Sequence, residues 1–245
     1  MDLNLKGKKA LVMGSSTGIG KAIAESLVNE GAEVYLCSRT EEKLQACQKE
    51  IGAAGYEVCD LTKPNASSVL IENLVSKVGP IDILVTNTGG PQKANFLEVS
   101  DEQWNTDFQS LWMSPVEAIK AVIPHMKENN YGRILMVTSI AALEPLEGLT
   151  TSNGLRAGLS GLAKSISNEF SANGITINLL LPGYTNTDRL KALNLSDEKV
   201  KAMVPAGRLG KPEELADLAT FLSSEKGAYI TGQSIAIDGG VTRSH

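Results

Sequence analysis

The chain has 245 residues, of which 42% are apolar and 21% charged, with a net charge of −5. That is the balance of a folded globular chain, and the negative charge argues against nucleic acid or an anionic membrane as the main partner. No apolar run approaches the roughly 18 residues of a spanning helix, and residues 1–7 lack the basic-then-apolar build of a signal peptide, so a cytoplasmic location is expected.

Short β-branched runs alternate with longer amphipathic stretches. Lys9–Met13 reads as a buried strand, followed by glycines and then a helical pattern over Ile19–Asn29. Glu33–Cys37 is the next strand, Glu41–Ile51 the next helix, and Tyr56–Cys59 and Ile81–Val85 are strands three and four. Long helical stretches at about 103–127 and 152–172 surround the strand Arg133–Val137, and Thr176–Leu180 and Ser234–Ile237 complete a set of seven. Continuous apolar strands separated by helices imply a parallel sheet covered on both faces. No repeat, linker or low-complexity tract interrupts the series, so residues 1–245 are read as one doubly wound α/β domain of Rossmann type. Cys37, Cys47 and Cys59 have no metal-type spacing and read as buried free thiols. His125 and His245 cannot make a metal site between them, so no metal is expected.

Gly14-Ser15-Ser16-Thr17-Gly18-Ile19-Gly20 lies between the first strand and the first helix. Glycines there permit a tight turn and let backbone N–H groups approach a pyrophosphate at the helix N-terminus. A purely structural turn is the competing reading, and the strand–loop–helix setting near the N-terminus favours the dinucleotide. After the second strand come Ser38 and Arg39 in place of an acidic residue. A carboxylate there would hold the 2′-hydroxyl of NAD, whereas arginine pairs with the 2′-phosphate of NADP. NADP(H) is therefore preferred over NAD(H), against the alternative of a solvated arginine at a strand end.

With these residues the chain resembles the short-chain dehydrogenase/reductase family over nearly its whole length, and especially its 3-oxoacyl-carrier-protein reductase branch. Gly14-x-x-x-Gly18-x-Gly20 is similar to that family's loop, and Asp60-Leu61 to its adenine-binding pair. Thr86-Asn87-Thr88-Gly89 stands where the family has Asn-Asn-Ala-Gly. Pro182-Gly183-Tyr184-Thr185-Asn186-Thr187 matches the segment the family places over the nicotinamide carboxamide, and the tail from Gly207 to Gly240 is also family-like. The resemblance implies cofactor contacts from Ser16, Thr17, Ile19, Asn87, Gly89, Pro182, Gly183, Thr185 and Thr187. It also implies a homodimer or homotetramer, a mobile substrate lid over about 188–210, and a small carbonyl or alcohol substrate.

The family's proton donor is a tyrosine with a lysine four residues on, spaced to share one helical face. By the family's register from Ser139, those two positions hold Ser152 and Arg156, and no Tyr-x-x-x-Lys occurs anywhere in the chain. The family's helical asparagine is replaced by Leu111. Pro115 lacks an N–H, so the Leu111 carbonyl loses its helical partner; that carbonyl is then free to hold a water, or the proline simply kinks the helix for packing. A serine hydroxyl is a far weaker acid than a phenol, and an arginine stays charged and cannot shuttle a proton.

Three functions remain open. One is an oxidoreductase with a rearranged centre, in which Ser139 with Ser152 or Asn153 orients the substrate, Arg156 stabilises an oxyanion or carboxylate and contacts the cofactor ribose, and Tyr184 or a water supplies the proton. Another is a cofactor-binding sensor or silent partner subunit, and a third is a lyase or epimerase use of the frame. Enzymatic turnover is the favoured expectation. In the lid, Leu190, Leu193 and Leu195 are candidate apolar lining and Arg189 or Lys191 candidate anion contacts, with an ordinary surface helix as the alternative.

Overall fold

The computed structural model describes residues 1–191 and 194–243. Strand β1 (Lys9–Met13) enters helix α1 (Gly18–Asn29), β2 (Glu33–Ser38) leads to α2 (Glu41–Ile51), and β3 (Gly55–Val58) to α3 (Ala66–Val78). After β4 (Ile83–Asn87) comes a helical stretch in three parts, α4 (Asp101–Phe108), a π-helical turn (Gln109–Met113) and α5 (Ser114–Glu128). The chain continues through β5 (Gly132–Val137), α6 (Thr150–Phe170), β6 (Ile175–Pro182), the short α7 (Asp188–Lys191) and α8 (Asp197–Met203), α9 (Pro212–Ser223) and β7 (Ser234–Ile237).

The seven strands pair in parallel in the order β3-β2-β1-β4-β5-β6-β7, which bears out the doubly wound Rossmann reading. Successive side chains of a strand point to opposite faces, so each strand feeds two cores. Leu11, Met13, Leu84, Ile134, Met136 and Leu179 face Leu70, Leu74, Ile119 and Leu159 of α3, α5 and α6. Val12, Val34, Leu36, Val85, Leu135 and Leu180 face Ile23, Leu27, Leu44 and Leu222 of α1, α2 and α9. Each such Leu or Ile is almost fully buried and stabilises the fold by about 1.5–3 kcal/mol. Helix α2 also carries Glu41 and Glu42 in its first turn and Lys49 in its last, matching its dipole.

Several element boundaries shift by a residue or two from the sequence expectation, and three of the differences have a visible cause. Strand β4 begins at Ile83, not Ile81, because Asp82 turns its carboxylate to the end of the sheet, accepting the Lys9 N–H at 2.9 Å. It runs on to Asn87 because its pairing with β5 continues to Val137. Strand β3 is Gly55–Val58, one residue earlier than expected, set by its register with Tyr35–Ser38. The helix expected at about 103–127 is not uniform: Ser114 donates its N–H to the Gln109 carbonyl, five residues back. The missing N–H of Pro115 leaves a gap in the α ladder, and an extra residue wound into that turn absorbs it. Cys37, Cys47 and Cys59 are free and buried. Among the described residues no helix is long and apolar enough to cross a membrane.

Candidate active site

Strand order reverses between β1 and β4, and in open parallel sheets the crevice at the carboxyl ends of such strands is where ligands bind. A cleft of about 600 Å³ opens there. Its walls include Gly14, Ser16, Thr17, Gly18 and Ile19 from the loop after β1, Ser38 and Arg39 from the end of β2, Asp60 and Leu61 after β3, Asn87 and Gly89 at the end of β4, and Thr187 beyond β6. Residues expected from separate motifs thus meet on one surface. Of the other expected contacts, Gly20 sits in the first turn of α1 against the Gly14 carbonyl, and Pro182 ends β6. Gly183 packs on Asp238, and Thr185 is buried with its hydroxyl on the Gly183 carbonyl at 3.2 Å.

The glycine loop is held from two sides. The Asn87 amide donates to the Gly14 carbonyl at 2.9 Å. Gly14 has φ +59°, and a methyl group on it would collide with the Asn87 carbonyl oxygen, so only glycine is accommodated. Ser15 accepts the Cys37 N–H on its hydroxyl at 3.0 Å, which ties the loop to β2. Helix α1 then starts with no side-chain cap from Thr17 and no acidic residue in its first turn. Its first N–H groups remain available to an anion at the positive end of the helix dipole. The Thr187 methyl lies over Gly18 and closes this end.

The far end of the cleft carries Arg39 and also Lys43, a second cation that the sequence motifs did not mark. On the same wall, the buried hydroxyl of Ser38, the last residue of β2, has no hydrogen-bond partner. An orphaned hydroxyl beside two cations fits a phosphate-bearing group. Asp60 accepts the Thr62 N–H at 3.1 Å and its hydroxyl at 2.8 Å. Burial works to raise the Asp60 pKa, but those bonds and the Arg39 charge outweigh it and hold the carboxylate below its ordinary range. These features fit a dinucleotide with an extra phosphate at its adenosine end.

At the other end of the cleft, Ser139, Ser152 and Tyr184 lie outside its lining. Ser139 follows β5 and caps a single 3₁₀ turn, its Oγ accepting the Ala141 N–H at 3.1 Å. Because the oxygen is used only as an acceptor, its O–H remains available to donate. Ser152 occupies the buried first turn of α6; beside it Thr151 donates to the buried Asp107 carboxylate at 2.6 Å, fixing α6 to α4. Asp107 lines the cleft, and nothing in its sequence setting marked it. Asn153, expected to orient a substrate, is instead turned to the Leu146 peptide, accepting its N–H at 3.1 Å and donating to its carbonyl at 2.9 Å. Its short side chain closes a local ring that spacing alone does not reveal.

Arg156, one turn beyond Ser152, is 5% exposed and reaches across to donate to the Gly89 carbonyl, joining α6 to the wall of the cleft. Its Nε has no partner. Burial and then the charge of Arg189 push its pKa down to about 10. Arg156, Leu111, Pro115, Thr86, Thr88 and Thr138 surround a small cavity of about 10 Å³, room for about one water. The Tyr184 backbone is pinned where the 186–209 excursion closes on itself: Gly210 donates to the Tyr184 carbonyl at 2.9 Å and Asn186 to the Gly210 carbonyl at 2.8 Å. Within that excursion Arg189 lines the cleft, whereas Lys191 is exposed and pairs loosely with Asp188 at 3.4 Å. Leu190 and Leu195 are half-buried, and Leu193 lies outside the described residues, as does His245.

Residues 14–242 match a family model described as enoyl-(acyl carrier protein) reductase. The chain is 36% identical to a 3-oxoacyl-[acyl-carrier-protein] reductase of Escherichia coli K12, covering 98% of this chain and 99% of that one. Among solved structures it is similar to an NADP-bound 3-oxoacyl (acyl-carrier-protein) reductase of Agrobacterium tumefaciens C58, with TM-score 0.93 and 31% identity over 98% of this chain and 96% of that one. It is likewise similar to an NADPH-bound short chain oxidoreductase of Pseudomonas aeruginosa PAO1 described as having an atypical catalytic center, with TM-score 0.90 and 30% identity over 97% of this chain and 98% of that one. With these matches spanning its length, the chain belongs to the short-chain dehydrogenase/reductase family.

Proposed function

We propose that the chain is an NADP(H)-dependent oxidoreductase that interconverts a carbonyl and an alcohol through a non-standard centre of Ser139, Ser152, Arg156 and Tyr184. The observation that carries the reading is the cleft at the β1/β4 switch point, with its uncapped helix start and, at its far end, Arg39, Lys43 and the unpartnered Ser38 hydroxyl. The α1 N-terminus and the glycine loop would hold the pyrophosphate, and Arg39, Lys43 and Ser38 would hold the 2′-phosphate. That relatives in this family are described with NADP or NADPH bound supports the same choice.

NADPH, when bound, would supply hydride for the carbonyl carbon, leaving the chain's own residues to deliver a proton to the oxygen. Ser139 donates its free O–H to the carbonyl oxygen, with Ser152 beside it at the start of α6. Arg156 supplies positive charge to the developing oxyanion and to the cofactor ribose, and keeps that charge through the neutral range. The proton comes from Tyr184 or by way of a water, for which the cavity beside Arg156, Leu111 and Thr138 has room. Residues 188–210 act as the lid, hinged where Thr185 and Gly210 pair. The working form is a cytoplasmic homodimer or homotetramer of single-domain chains. A P. aeruginosa relative described as a short chain oxidoreductase containing an atypical catalytic center supports the oxidoreductase reading for a centre of unusual composition.

A second reading, a cofactor-holding subunit without turnover, is favoured by the absence of a tyrosine–lysine pair and by Leu111, which carries no polar side chain. Titration of NADPH and NADH by fluorescence, followed in the same cuvette by a panel of carbonyl compounds, separates the two. Tighter binding of NADPH with its oxidation is expected; binding without oxidation by any carbonyl moves the assignment to the silent subunit, and failure to bind either cofactor removes both.

A further inference from the structure

Two guanidinium groups converge on one short piece of backbone, and neither forms an ion pair among the described residues. Arg156 donates to the Gly89 carbonyl from α6, and Arg189 donates to the Pro91 carbonyl at 2.7 Å from the far side of the cleft. Gly90, between the two carbonyls, allows this: the Arg189 guanidinium occupies the space that any side chain at residue 90 would fill.

The pair is poorly compensated. Arg156 is buried, its Nε has no acceptor, and neither arginine takes part in an ion pair among the described residues. A buried cation without a counter-charge is destabilising, and a like charge nearby adds to the penalty; the lowered pKa of Arg156 records both effects. Structural arginines are satisfied elsewhere in this chain. The buried Arg133 shows the pattern, donating to the Ser224, Gly132 and Gly174 carbonyls at 2.9–3.1 Å. Arg156 has one such carbonyl and an unused donor, which is the state of a group waiting for a ligand.

We infer that Arg156 and Arg189 together bind the carboxylate of the substrate, so that the compound reduced is an oxo acid. The two planar forks match the two oxygens of a carboxylate, and Ser139 then meets the carbonyl of the same molecule. Arg189 belongs to the segment after β6, so the carboxylate also draws the lid toward the cleft wall. This inference rests on the oxidoreductase reading above and names its substrate class.

The test is calorimetric titration of the full chain, saturated with NADPH, with oxamate and the straight-chain carboxylates of two to six carbons, each against its neutral amide. NADPH binding is measured separately by fluorescence in every variant. At least one acid is expected to bind more tightly than its amide by about tenfold to a hundredfold, with a loss of similar size in Arg189→Gln and in Arg156→Met. Arg189→Gln is a change at an exposed residue and leaves the fold intact, so its result stands even where Arg156→Met is poorly folded. Equal binding of acids and amides, no binding by any acid, or acid binding unchanged in Arg189→Gln overturns the inference. If Arg189→Gln weakens NADPH and not the acid, the arginine serves the cofactor and the inference also falls. Should NADPH itself fail to bind, the oxidoreductase reading fails, and the same titrations on the free chain still decide whether the arginine pair holds a carboxylate.

Discussion

The two ends of the cleft are built by different means. At the β1/β4 end, recognition rests on backbone: a glycine turn held by Asn87, the uncapped N-terminus of α1, and a strand order that leaves a crevice. At the α6 end the proposed centre rests on single side chains presented by a rigid helix, Ser152 and Arg156 among them. The scaffold of the second end is intact, with α6 beginning at Thr150 and fixed to α4 through Thr151 and Asp107. What differs is the set of groups it displays. Backbone-made sites tolerate little sequence change, whereas a side-chain centre can be exchanged without disturbing the fold that carries it.

Changes at the backbone end should therefore abolish binding and lower stability together. Gly14→Val places a β-branched residue at positive φ against the Asn87 carbonyl. It is expected to cost about 3 kcal/mol or more and to remove NADPH binding, as read by thermal melting and fluorescence titration. A change at Ser139, on the side-chain end, should leave both intact. Ser139→Ala is expected to keep the wild-type melting temperature within about 2 °C while lowering kcat/KM by roughly 10²–10³-fold; a melting temperature that falls with activity would show that the two ends are not separable.

Arg39→Asp sharpens the comparison within the cleft, because the pocket proposed for the 2′-phosphate is made of the side chains of Ser38, Arg39 and Lys43. It is expected to weaken NADPH by about tenfold to a hundredfold relative to NADH, and unchanged relative affinities would remove the phosphate assignment. The last of these effects has the opposite sign. The folded pKa of Arg156 is lowered to about 10, so its charged form costs stability at every pH below about 10, and the cost shrinks as pH rises from there toward the ordinary arginine range. Arg156→Met is thus expected to stabilise the free chain at neutral pH by roughly 1–3 kcal/mol, measured by denaturant unfolding. In the wild type, carboxylate binding should hold through the neutral range and fade as pH rises through about 10.

Much of the architecture was legible in the sequence, since apolar runs such as Lys9–Met13 and Ser234–Ile237 coincide with strands. The cleft was legible where motifs are local, as in Gly14–Gly20 and Ser38–Arg39. The π-helical turn was not, because Pro115 shows that a ladder bond is lost without showing whether the helix bends or winds in an extra residue. Lys43, Asp107 and the meeting of Arg156 with Arg189 depend on contacts between distant segments, which periodicity does not carry. Asn153 was misread because a polar residue beside Ser152 has the chemistry of a site residue, and only the fold reveals that Leu146 consumes it.

The central claim is that hydride chemistry persists on a frame without the tyrosine–lysine pair. It is tested most directly with NADPH deuterated at the nicotinamide carbon that gives up hydride, incubated with the chain and a panel of oxo acids, with products read by mass spectrometry. One deuterium on the newly formed carbinol carbon, strongly reduced in Ser139→Ala, is the expected result. Cofactor that binds and remains unconsumed with every compound would contradict the claim and leave a site that holds NADPH without using it.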